Sequence, residues 1–215
     1  MKSKKLKFLI SAGLTFFAFI VFTAIVKMVD VQAVGPMGSQ IGLATINLAV
    51  FNAVGVSDLW YKLTGIIGYF ALLLAGCFAV ICVIQLIKGK GLKKVDKNLL
   101  WLCVLYAVVL AFYALFEVVI INYRPIIIEG ELEASYPSSH TMLSLTIFLS
   151  AIPLVKGHIK SKGVYLTVAV VFAVLAVIMP VGRLLSGVHW LTDIVGSIIL
   201  SISLVTAYLG VVEKN

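Results

Sequence analysis

Six long apolar runs, separated by short polar connections, constrain this chain of 215 residues more than any motif in it. A bilayer core about 30 Å thick takes roughly 20 consecutive apolar residues as one helix, and a backbone that crosses it must satisfy its own hydrogen bonds. The runs fall at residues 8–26, 63–87, 99–121, 141–155, 164–181 and 190–212. With 62% hydrophobic and 12% charged residues and a mean hydropathy of +1.14, the chain is excluded from the soluble class. The expected fold class is all-α, an integral membrane six-helix bundle forming a single domain over residues 1–215. Residues 41–56 are apolar too, but Asn47 and Asn52 interrupt them, which predicts a helix lying along the membrane surface between helices 1 and 2.

Charge gives the bundle a direction. The formal charge of +8 does not imply nucleic acid, because the basic residues are spread over short loops instead of clustering on a water-facing domain. If the amino terminus is cytoplasmic, thirteen of the seventeen basic residues fall on the cytoplasmic side, including Lys2, Lys4, Lys5 and Lys7, the group from Lys88 to Lys97, Lys156, Lys160, Lys162 and Lys214. Basic residues concentrate in cytoplasmic loops, so both termini are expected inside and the chain is expected to be a multi-pass plasma-membrane protein. The lysines before the first run are read as part of an uncleaved signal anchor. Cys77, Cys82 and Cys103 lie within the runs and read as packing residues. Trp60, Trp101 and Trp190, near the run ends, read as interface anchors. The acidic series Glu129, Glu131 and Glu133 reads as a solvated loop.

Only Lys27, Lys62, Arg124 and Arg183 then face outward, and the two arginines each open a histidine motif. Arg183 lies six residues before His189, in a turn flanked by Gly182 and Gly187, and Asp193 follows His189 by four. That spacing places the carboxylate on the histidine's helix face, where it can accept from one imidazole nitrogen and leave the other for a substrate. An arginine fork beside it suits a phosphoryl group. Arg124-Pro125 precedes Pro137-Ser138-Ser139-His140, whose serines and first-turn amides are placed to bind phosphate oxygens, with His140 placed to protonate a leaving oxygen. No cluster has metal-ligand spacing, and neither metal nor other cofactor is expected.

These motifs resemble those of the membrane-bound type 2 phosphatidic acid phosphatases, which share their active site with vanadium haloperoxidases. The family signature runs lysine, six residues, Arg-Pro; then Pro-Ser-Gly-His; then Ser-Arg, five residues, His, three residues, Asp. In order and spacing it is matched here between Glu117 and Asp193. The resemblance implies a lipid phosphatase in which His189 forms a phosphohistidine, Asp193 orients it, His140 is the acid, and Arg124, Arg183, Ser138 and Ser139 surround the phosphate. Three positions depart from the signature: Glu117 replaces the lysine, Ser139 the glycine and Gly182 the serine. The glutamate is expected to pair with Arg124, to hold a protonated group, or to leave the lysine's role to Lys27 or Lys62. A membrane-bound lipid phosphate is the expected partner, undecaprenyl diphosphate first, with phosphatidic acid or phosphatidylglycerol phosphate as alternatives. A non-enzymatic bundle with a degraded site is the competing class.

Overall fold

Each of the six runs forms a helix, and a seventh, short one stands between the first two. The structure, a computed structural model, describes residues 2–212, with side chains from Lys4 onward. Lys214 and the Lys2 side chain, both used in the charge argument, lie outside that range. The helices are α1 Lys2–Met28, α2 Ala44–Val54, α3 Asp58–Gly89, α4 Lys97–Val118, α5 Ser139–Lys156, α6 Lys162–Leu185 and α7 Leu191–Val212. All but α2 are long and apolar enough to cross a membrane. The described residues form no sheet beyond isolated bridges. The chain is a multi-pass membrane protein.

Two helices form the interior. α5 and α7 are 56% buried across their apolar windows, against 11–28% for the other four spans. Their composition explains this, because small and hydroxylated residues permit close approach of helices within a membrane. Ser197 Oγ donates to Ser138 O, Ser201 Oγ to Met142 O and Ser203 Oγ to Ala12 O, tying α7 to α5 and α1. α5 packs against α3, α4 and α6 on its other sides. The outer helices turn leucines, valines and isoleucines away from the bundle, as a lipid-facing surface requires.

Two expectations change here. α6 runs on past residue 181 to Leu185, so Arg183 sits in its last helical turn and not in a loop. Gly182 does not end the helix, because one glycine costs it only about 1 kcal/mol. α2 does not simply lie on the surface. Asn47 is completely buried: its Nδ2 donates to Gly42 O (2.9 Å) and Thr192 Oγ1 (3.0 Å), and its Oδ1 accepts from Thr192 N (3.1 Å). The polarity that made this segment unfit to span is what docks it on the start of α7.

Candidate active site

The connection from α4 to α5 folds back on itself. Tyr123 and Ala134 form a bridge, Arg124 N donates to Glu133 O and Ser135 N to Asn122 O. This pairing brings Arg124 and Ser135 from opposite arms to one end of the bundle. Glu133 is not merely solvated, since its Oε2 lies 2.7 Å from Arg124 Nε. The Arg124 partner is therefore Glu133 and not Glu117.

From the other side, α6 delivers Arg183 and then turns sharply into α7. Gly187 makes the turn at φ +70°, in the left-handed region, and an ideal Cβ there would stand 2.4 Å from Gly55 O. Gly182 is equally constrained. A Cβ on it would meet Thr64 Cγ2 at 2.6 Å and Trp60 Cε3 at 2.9 Å, so the serine of the family signature has no room here. Thr64 instead contributes its own hydroxyl, which accepts from Arg183 Nη1 at 3.4 Å.

The start of α7 is capped twice. Asp193 Oδ2 reaches back to accept from Trp190 N at 2.8 Å, a capping-box contact, while Asn47 supplies from α2 the acceptor that the indole of Trp190 cannot. Trp190 itself is buried, tilted against Phe51 and donating Nε1 to Tyr123 O at 2.7 Å. It is packed inside the protein beside His189 and is no interface anchor.

His189 and Asp193 are brought together, though not by the direct hydrogen bond their spacing predicts. His189 precedes the helix, and its Nδ1 lies 3.7 Å from Asp193 Oδ2, beyond hydrogen-bonding range. Ser135 fills the gap: its Oγ donates to Asp193 Oδ2 and is 3.0 Å from His189 Nδ1. A hydroxyl has one proton, and Asp193 receives it, so Ser135 Oγ accepts from Nδ1–H. Nε2 then carries the lone pair, with Arg183 Nη2 3.4 Å away. Burial, reinforced by the charges of Arg124 and Arg183, holds the His189 imidazole neutral well below the ordinary imidazole range.

Buried polar atoms around this pair lack partners. Arg124 Nη1, Arg183 Nε and His140 Nδ1 are buried without a hydrogen-bond partner among the described residues. Ser138 is differently occupied, because its hydroxyl caps α5 by accepting from Thr141 N and donating to Thr141 Oγ1. Ser139 remains available and lines two cavities, one beside Glu117 and one beside His140. Lys27 and Lys62 do not take the missing lysine's place: Lys27 Nζ donates to Ile120 O and Lys62 pairs with Asp58 at 2.6 Å. No group of three potential metal-ligating side chains forms among the described residues.

Comparison with known proteins bears on the same region. A sequence model described as the PAP2 superfamily matches residues 101–215. The fold is similar to the crystal structure of a transmembrane PAP2-type phosphatidylglycerolphosphate phosphatase from Bacillus subtilis, with a TM-score of 0.62 over 93% of this chain and 94% of that one. The two sequences are 18% identical, so the likeness is one of fold. No curated protein matches the chain.

Proposed function

The chain belongs to the PAP2 superfamily, and from that premise we propose that it is a membrane lipid phosphatase acting through a phosphohistidine, its single domain spanning residues 1–215 around a motif core at 117–193. Arg183 carries the proposal. Its side chain is 1% exposed, it forms no ion pair among the described residues, and Nε has no hydrogen-bond partner. A guanidinium buried without a counter-ion costs several kcal/mol, and a bound phosphate dianion beside His189 removes that cost.

The chemistry follows from the arrangement. His189 Nε2, oriented by Ser135 and Asp193, attacks phosphorus, with Arg124 and Arg183 neutralising the phosphoryl oxygens. The bond from phosphorus to the lipid oxygen breaks, and protonated His140 gives that oxygen its proton. Water then attacks the nitrogen-bound phosphoryl group, losing its proton to His140, and phosphate leaves. Each step uses a side chain of this protein, so the proposed reaction is metal-independent. Ser138 serves it through the helix cap, Ser139 through the cavity wall.

The charge pattern supports an outward-facing site, on the side where undecaprenyl diphosphate, phosphatidic acid or phosphatidylglycerol phosphate presents its headgroup. Purified protein in detergent is expected to release phosphate from such a lipid in the presence of EDTA, to be blocked by vanadate, and to lose more than a thousandfold in rate, roughly 4 kcal/mol, with His189→Ala. Equal activity of wild type and His189→Ala overturns the phosphohistidine, and absence of phosphate release from all of these lipids overturns the enzyme reading.

A further inference from the structure

Glu117 stands two residues before Val119, the C-cap of α4, where the family has a cation. With Tyr113, Ser135, Ser139 and His189 it lines a narrow cleft of about 10 Å³, room for one water. Tyr113 and Ser139 also wall a larger cavity of about 370 Å³ that reaches His140. Glu117 therefore stands behind the partition between nucleophile and leaving-group acid.

No described cation neutralises it. Arg124 is paired with Glu133, Lys62 with Asp58, and Lys27 donates to a backbone carbonyl. The two arginines available to a phosphate are thus offset by two glutamates, Glu133 and Glu117. A lipid phosphomonoester places one phosphoryl group against the arginines and a neutral oxygen toward His140. A lipid diphosphate places a second charged phosphate on that same side, toward the Tyr113–Ser139 wall, behind which the acidic side chain Glu117 stands. Like charges brought close at a protein surface repel, which disfavours that second phosphate.

We infer that Glu117 is a specificity-determining residue that makes this site select lipid phosphomonoesters over lipid diphosphates. The inference rests on the phosphatase reading above and reverses the preference for undecaprenyl diphosphate drawn from topology.

The test measures kcat/KM for phosphatidic acid and farnesyl diphosphate with full-length wild type, Glu117→Gln and Glu117→Lys in the same detergent. Wild type is expected to favour the monoester. Both rates rise in Glu117→Gln, the diphosphate rate by more, so that the diphosphate-to-monoester ratio grows by roughly tenfold, and further in Glu117→Lys. A ratio that stays within twofold across the three active proteins overturns this inference alone. Absence of phosphate release from either lipid in all three proteins overturns the phosphatase reading, and this inference with it. If the substitutions unfold the protein, competition on wild type decides: orthophosphate is expected to inhibit more strongly than pyrophosphate, and the reverse order overturns the inference.

Discussion

Replacing Ser135 by alanine removes a single oxygen and is expected to slow the chemical step by roughly 10- to 150-fold. The imidazole Nδ1–H of His189 has Ser135 Oγ at 3.0 Å, whereas Asp193 Oδ2 is 3.7 Å away. Asp193 keeps the amide of Trp190 and so stays in place, 2.8 Å from its donor. The loss is therefore one buried hydrogen bond in a chain that ends on a carboxylate, worth about 1.5–3 kcal/mol, or about 10- to 150-fold in kcat. KM is expected to move by less than about threefold, because the arginine clamp is untouched. Phosphate release gives kcat and KM, and acid-quenched single turnovers report how fast the phosphohistidine forms. Ser135→Thr, which retains the hydroxyl, is expected to recover most of the rate. The double variant Ser135→Ala/Asp193→Asn is expected to be little slower than Asp193→Asn alone, as members of one relay are not additive. If Ser135→Ala turns over within twofold of wild type, the relay is wrong and Asp193 orients His189 without it.

Three further outcomes follow from the geometry. Asn47→Ala removes the cap that α2 lends α7, and is expected to cost about 1–3 kcal/mol; a lowered melting temperature in detergent checks it, and an unchanged one refutes the capping role. Gly68→Ala brings a Cβ to 3.0 Å from His140 Cδ2, so the ring must shift by a few tenths of an ångström; kcat is expected to fall several-fold with melting little changed. The depressed pKa of His189 sets a pH dependence with a definite sign. Below its ordinary value of 6.5 the unfolded chain takes up a proton that the folded chain refuses. Its contribution to stability is full above that value and declines as the pH falls through it, so melting temperature is expected to drop on acidification, less steeply in His189→Gln.

The spans were legible because a membrane imposes one length and one polarity on every crossing helix, and all six runs form helices. His189, Asp193 and Arg183 were legible because their partners lie within one helical turn or two. Ser135 was not. It meets His189 across 54 residues of chain, from a loop whose bridges follow no apolar period. Asn47 meets Thr192 across 145 residues, and its polarity read equally well as a reason to stay at the surface. Glu133 belonged to an acidic series that looked solvated, and only the fold of its loop shows which member reaches Arg124. Gly182 gave no sign that Trp60 and Thr64 had taken its side-chain space.

Docking α2 on the first turn of α7 also orders events in time. During synthesis the segment carrying Asn47 emerges long before Thr192, and α1, against which α7 packs, emerges earlier still. The receptor for the final span is thus built first and waits for it. His189 gains its surroundings only when that span arrives, so a chain halted before α7 inserts would sit in the bilayer with the proposed nucleophile unassembled.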